Sequence, residues 1–122
     1  MTLAIVEDAG IKAVEGTAGQ RVMGSVKDAG LVIEACLSAR TRAALLYAEN
    51  LTPAFFDLSS GEAGEILQKL RNYRIRLAVV CPPGQVRFSS RFGEMLAEER
   101  RGPYFGVFDT RAGARAWLAV KV

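Results

Sequence analysis

The feature that most constrains the fold is a regular alternation of short apolar runs with longer amphipathic segments. Five runs are typical of strands, LAIV, IKAVE, AALLYAE, RLAVVC and YFGVF. Four segments have apolar residues at helical spacing, in residues 25–40, 61–73, 89–103 and 111–120. The sequence therefore predicts the element order β-β-α-β-α-β-α-β-α.

Strands that alternate with helices indicate a mostly parallel sheet covered by helices. The first two runs are separated only by EDAG, which favours an antiparallel hairpin at one edge. A length of 122 residues is typical of one domain. We therefore expect a single α/β domain over residues 1–122, with a mixed, mostly parallel sheet of about four to five strands and about four helices. An exposed sheet edge would make a homodimer reasonable.

The helical spacing also predicts which side chains face the core. The first helix should bury Val26, Ala29, Ile33, Cys36 and Leu37. The second should bury Ala63, Ile66, Leu67 and Leu70.

The chain contains no histidine, and its two cysteines, Cys36 and Cys81, lack metal-ligand spacing. Without histidine, Ser-His-Asp, Cys-His and zinc-histidine sites are excluded. Both cysteines lie in apolar runs, which favours buried, reduced thiols. We therefore expect no catalytic residue, no metal and no cofactor, and a protein that is not an enzyme.

The sequence also indicates a cellular location. No apolar run approaches the roughly 18 residues needed to span a bilayer. The first eight residues include acidic side chains and no basic region, unlike a signal peptide. We expect a cytoplasmic protein with no membrane partner.

Charge is distributed unevenly. Residues 1–70 have a net charge of −3 and residues 71–122 of +6, within a total of +3. An arginine-rich half could meet an acidic partner, but no nucleic-acid-binding motif accompanies it, so we expect no nucleic acid. In RNYRIR, Arg71, Arg74 and Arg76 favour a helix C-terminus, with anion binding as the alternative.

The stretch DLSSGEAG at the start of the second helix is the main candidate site. Ser59 and Glu62 have the spacing of a capping box. The same helix start could instead take a phosphate or contact a partner. The candidate contact or phosphorylation surface comprises Asp57, Ser59, Ser60, Gly61 and Gly64.

Two residues just upstream form a candidate pocket rim. Glu49 and Asn50 end a predicted strand and begin a long loop. A turn role is the alternative for Asn50. Phe55 and Phe56, in the same loop, are expected to cover the core.

The block ENLTPAFFDLSSGEAGEILQKLRNYRIRLAVV, residues 49–80, resembles an uncharacterised bacterial family, domain of unknown function 4180. More distantly, Asp57, Ser59, Ser60 and Gly61 resemble the Asp-Ser-Ser-Gly motif of STAS domains, in which a kinase phosphorylates the serine to switch partner binding. Leu58 separates the acid from the serines here. The STAS resemblance therefore implies the fold and does not extend to a phosphorylated serine.

These observations predict a regulatory or protein-interaction module in bacterial signalling or transcription control, with an unidentified protein partner. The alternative is a small-ligand or anion-binding domain that uses the helix start after Asp57. An enzyme is the third and least favoured alternative.

Overall fold

A computed structural model of the chain describes residues 3–8, 10–17, 19, 26–57, 61–99 and 102–120. The strands are β1 (Leu3–Asp8), β2 (Ile11–Gly16), β3 (Ala43–Tyr47), β4 (Arg76–Val80) and β5 (Phe105–Phe108). The α-helices are α1 (Ala29–Ala39), α2 (Glu62–Asn72), α3 (Ser90–Glu99) and α4 (Arg111–Ala119). Short 3₁₀ turns span Val26–Asp28, Ala48–Asn50 and Pro53–Phe56.

The strands form one sheet in the order β1-β2-β3-β4-β5. β1 and β2 are antiparallel, and β2 to β5 are parallel neighbours. The predicted α/β fold, with a mostly parallel five-stranded sheet and four α-helices, is confirmed within the described residues. The predicted hairpin is confirmed too, since β1 pairs with β2 in register from Leu3 opposite Gly16 to Asp8 opposite Ile11.

The strand order determines where the helices lie. Each of the connections from β2 to β5 steps to the next strand in the same direction, so right-handed crossovers put α1, α2 and α3 on one face of the sheet. Their apolar side chains share a core with Val14, Leu46 and Val79. α4 follows the last strand and packs on the opposite face, where Ala114 and Leu118 meet Leu45. The central strands are therefore buried on both faces.

One core prediction for α1 is wrong. Leu37 was expected to face inward, but it is 57% exposed, whereas Val32 is fully buried. Ala29, Ile33 and Cys36 are buried as expected, and the side chain of Val26 lies outside the described ones. The inward stripe therefore runs along the Ala29–Val32–Cys36 side of the helix and leaves Leu37 in solvent.

Two helices end at an arginine in the left-handed region, Arg40 after α1 with φ 57° and Arg74 after α2 with φ 58°. The Arg40 N–H donates to the carbonyls of Cys36 and Leu37 and closes the last turn. Glycine usually takes this position because a Cβ is strained there. Each arginine therefore carries a local conformational cost.

We expect Arg40→Gly to raise the free energy of unfolding by about 1 kcal/mol, because glycine removes that strain. Urea denaturation followed by circular dichroism measures the change. Arg87→Gly is the control, since Arg87 is exposed and has no positive φ, and it should give no gain. A loss of stability in Arg40→Gly would show that the arginine side chain matters more than the backbone strain.

Candidate functional site at the carboxyl edge of the sheet

The loops that follow β2, β3 and β4 meet at the carboxyl edge of the sheet, and Asn50 holds two of them together. Asn50 is fully buried. Its Oδ1 accepts the backbone N–H of Tyr47 at 2.7 Å, and its Nδ2 donates to the carbonyl of Thr17 at 2.7 Å. A Cβ on Gly16 would lie 2.3 Å from Asn50 Oδ1, so glycine is required there for close approach. The Asn50 side chain is thus used inside the fold.

Glu49 is exposed and connects the loops around a cavity. Its Oε1 accepts the backbone N–H of Gly19 at 2.7 Å, and its Oε2 accepts Gln85 Nε2 at 3.3 Å. Glu49 also lines a cavity of about 540 Å³ together with Phe56 and Arg87. Of the two predicted rim residues, Glu49 therefore lines a cavity and Asn50 supports the loops beneath it.

The start of α2 differs from the predicted capping box. The N-cap residue is Gly61, with φ 75°, and Glu62 is the first helical residue. The Glu62 Oε1 accepts the hydroxyl of Thr52 at 2.9 Å. Ser59 lies outside the described residues, so its predicted pairing with Glu62 stays a prediction. Through Thr52, the Glu62 carboxylate fastens the preceding loop.

The candidate contact surface is described only in part. Asp57, Gly61 and Gly64 are exposed, and a Cβ on either glycine would meet no atom within 4 Å. Ser59 and Ser60 lie outside the described residues. The role of the two serines therefore stays a prediction.

Phenylalanine rings anchor the loop that leads to this surface. Phe55 and Phe56 are buried, as expected. The Phe55 ring lies 5.9 Å from that of Phe92 and 6.1 Å from that of Phe105, centroid to centroid. The backbone N–H of Ser89 also donates to the Phe56 carbonyl at 3.2 Å. The 3₁₀ turn Pro53–Phe56 is therefore fixed to the core.

A buried ion cluster on the α4 face was not predicted. Arg111 makes a bidentate pair with Glu15, at 3.0 Å from Nε to Oε2 and 3.1 Å from Nη2 to Oε1. Arg115, only 6% exposed, donates to Glu15 Oε1 at 3.3 Å and to the Ile11 carbonyl at 3.0 Å. The Tyr47 hydroxyl donates to Glu15 Oε2 at 3.4 Å. Burial first, and then the Glu15 charge, raise the pKa of Tyr47.

Two sequence signals point to this cluster. Glu15 follows Ile11 and Ala13 at a spacing of two, so it shares their face of β2. Arg111 and Arg115 are four residues apart, which puts them on the same side of α4. Both carboxylate oxygens of Glu15 are engaged by cations, so the cluster fixes α4 to the sheet and has no free group for chemistry.

The comparison with known families covers nearly all of these elements. Residues 8–118 match a family model described as Domain of unknown function (DUF4180). The chain belongs to this family. No curated protein and no solved structure matches the chain. The resemblance to STAS domains stays a prediction.

In this DUF4180 domain both thiols are protected. Burial raises the pKa of Cys36 to about 12, and burial is also the main cause of the raised pKa of Cys81. Thiols with raised pKa values stay protonated near neutral pH and are poor nucleophiles. Neither cysteine therefore suits covalent catalysis.

Within the described part of this DUF4180 chain, no group of three or more acidic or cysteine side chains is placed to hold a metal ion. No helix in the same ranges is long and apolar enough to cross a membrane.

Proposed function

We propose that the protein is a non-enzymatic protein-interaction module with a regulatory role in bacterial signalling or transcription control, and that it pairs with a second copy of itself through β1. The observation that carries this proposal is the apolar outer edge of β1. β1 is the end strand of the described sheet, and Ile5, near its centre, is 60% exposed. Long exposed apolar edges readily add another strand.

The register of the hairpin indicates which backbone groups face outward. Asp8 lies opposite Ile11 across a two-residue connection, and such a closing pair exchanges hydrogen bonds. Hydrogen-bonded pairs alternate along an antiparallel ladder, so Val6 and Ala4 point their backbone groups toward β2. Leu3, Ile5 and Glu7 then direct their N–H and C=O groups to the open edge.

These three residues suit an antiparallel pair of β1 strands about a two-fold axis. With Ile5 on the axis, Ile5 lies opposite the second copy's Ile5, and Leu3 lies opposite the second copy's Glu7. The two exposed isoleucines cover each other, and the acidic ends of the strands are kept apart. A strand from an unrelated protein would need a matching sequence, whereas a second copy supplies the match by symmetry.

The same β1–β1 pairing is compatible with the position of the helices on the two faces of the sheet. Ile5 lies opposite Val14, whose side chain belongs to the face covered by α1, α2 and α3. Residues directly opposite each other in an antiparallel ladder project to the same face. Pairing Ile5 with its own symmetry mate therefore keeps both three-helix layers on one side of a continuous sheet.

Other features support a non-enzymatic role. The sequence contains no histidine, both thiols are buried, and the Glu15 carboxylate is engaged by two arginines. The exposed surface with Asp57, Gly61 and Gly64 remains a second candidate contact through which a dimer could be regulated. Phosphopeptide mapping of the native protein would show whether Ser59 or Ser60 is modified, and unmodified peptides under several growth conditions would remove the phosphorylation prediction.

Sedimentation velocity tests the pairing. We expect the wild-type protein to sediment as a dimer at about 100 µM, and Ile5→Lys to sediment as a monomer because two ammonium groups would meet at the axis. Leu31→Lys is the matched control, since Leu31 is an exposed apolar residue on α1, and it should remain dimeric. A monomeric wild type, or a dimeric Ile5→Lys protein, would contradict pairing through β1.

A further inference from the structure

We propose that the amino edge of the sheet binds a small organic oxyanion, with a phosphate or carboxylate head and an apolar or aromatic body. The site is a cleft of about 590 Å³, within the usual range for small-molecule sites. It lies at the starts of β2, β3, β4 and β5 and beside the end of α4. This is the opposite edge from the loops with Glu49 and Asp57, and we call it the amino-edge cleft.

The described residues that line the amino-edge cleft carry charge of a single sign. Lys12, Arg42, Arg74 and Arg76 line it, and none of its described lining residues is acidic. The ion pairs among the described residues involve other arginines, Arg71, Arg111 and Arg115. A cleft lined by several cations concentrates a positive potential and attracts anions.

Two of the four cations neutralise the ends of helices. The C-terminus of a helix carries partial negative charge on its free carbonyls. Lys12 Nζ donates to the Ala39 carbonyl at the end of α1, at 3.2 Å. Arg76 donates to the carbonyls of Trp117, Leu118 and Val120 at the end of α4, at 3.1, 3.1 and 2.8 Å. The negative helix ends are therefore covered and do not oppose an anion in the cleft.

Arg76 is also held rigidly. Its Nε donates to the Pro103 carbonyl at 2.7 Å, and its guanidinium lies 4.3 Å from the centroid of the Trp117 ring. Burial lowers the pKa of Arg76 from its ordinary value, but arginine retains its charge in proteins. Arg76 therefore supplies a fixed positive charge at the wall of the cleft.

Arg42 and Arg74 are available for a ligand. Both are exposed, and among the described residues neither side chain has a hydrogen-bond or ion-pair partner. They reach the cleft from neighbouring parallel strands, since Arg42 precedes β3 and Arg74 precedes β4. Guanidinium groups bind phosphate and carboxylate oxygens in bidentate geometry. Two unpaired arginines in one cleft form a suitable clamp for such a head group.

The backbone positions Arg74. Its N–H donates to the Arg71 carbonyl at 2.9 Å, and the next N–H, of Ile75, donates to the Leu70 carbonyl at 3.0 Å. These bonds hold Arg74 at φ 58°, where glycine would be unstrained. The backbone of Arg74 is therefore fixed beside the cleft.

The walls of the cleft offer an apolar surface beside the clamp. Ile11, Tyr104 and Leu118 line it. The guanidinium carbon of Arg71 lies 5.8 Å from the centroid of the Tyr104 ring, in a cation–π contact. Arg71 also forms an ion pair with Glu99. Binding sites for small organic molecules combine apolar walls with a few polar groups that set orientation. The cleft therefore suits an organic anion better than a bare inorganic ion.

Titration of the full chain, followed by amide chemical shifts at constant ionic strength, tests the site. The probes are AMP, citrate and inorganic phosphate, with adenosine as the neutral control. We expect saturable shifts at Arg42, Arg74 and Tyr104 with AMP or citrate and none with adenosine. Tighter binding of AMP assigns an organic phosphate, and tighter binding of citrate assigns a carboxylate. Absence of saturable shifts with all three anions would overturn the proposal.

Two variants distinguish specific binding in the cleft from general attraction of anions to positive charge. The double variant Arg42→Ala, Arg74→Ala should bind the preferred anion at least about tenfold more weakly. Arg40→Ala is the control, since Arg40 is also exposed, also has positive φ and ends the neighbouring helix, but does not line the cleft. Equal weakening of anion binding by the double variant and by Arg40→Ala would overturn the proposal. The result is independent of the β1 pairing, because Ile5→Lys should bind the anion as the wild type does.

Discussion

Glu15→Ala is expected to lower the free energy of unfolding by about 3–5 kcal/mol, because it removes the carboxylate from a buried ion cluster. Arg115 would remain in an apolar setting at 6% exposure without its anion. Arg111 would lose both bonds of its bidentate pair. Urea denaturation at neutral pH, monitored by circular dichroism, measures the loss.

Two further variants decide whether the cluster causes that loss. Asp109→Ala removes an exposed acidic residue near the start of α4 and should change stability by no more than about 0.5 kcal/mol. The double variant Glu15→Leu, Arg115→Met should recover most of the lost stability, since apolar pairs of similar volume replace buried ion pairs well. If Glu15→Ala cost less than about 1 kcal/mol, the cluster would not be buried in solution as described.

Phe55→Ala is expected to lower the free energy of unfolding by about 3–5 kcal/mol, because a fully buried ring leaves a cavity that its neighbours cannot fill. Phe55 contacts three other rings, with centroid distances of 5.3 Å to Phe56, 5.9 Å to Phe92 and 6.1 Å to Phe105. Removal of the Phe55 ring would also release the turn Pro53–Phe56 from the core. Chemical denaturation measures the stability, and amide exchange of residues 52–57 measures the release.

The control for Phe55→Ala is Tyr73→Ala. Tyr73 is an aromatic residue in the turn after α2 and is half exposed. Its removal should change stability by no more than about 0.5 kcal/mol. Equal losses from the two variants would contradict the placement of Phe55 at the centre of the aromatic cluster.

The sequence was sufficient to predict the element order and the hairpin, because both depend on local patterns. The apolar run before Pro82 and Pro83 corresponds to β4, and the turn predicted at EDAG joins two strands that pair, although β1 continues through Glu7 and Asp8. The covering role of Phe55 and Phe56 was also predictable, since two adjacent large apolar rings are more often buried than exposed.

Other features could not be predicted, because they depend on contacts between distant parts of the chain. Glu15 and Arg115 are 100 residues apart and meet only because α4 crosses to the face of the sheet opposite α1, α2 and α3. The amino-edge cleft combines Lys12 of β2 with Arg42 and Arg74, which precede β3 and β4. The hydrogen bond from Thr52 to Glu62 joins residues ten positions apart and has no signature in the local sequence pattern.

The central claim, that β1 pairs with β1 of a second copy, is tested most directly by residue-resolved amide exchange at two protein concentrations. The account predicts that the amides of Leu3, Ile5 and Glu7 exchange slowly at high concentration and become fast on dilution or in Ile5→Lys. The amides of Ala4 and Val6, bonded to β2, should stay protected in both conditions. Fast exchange of Leu3, Ile5 and Glu7 at every concentration would contradict the account.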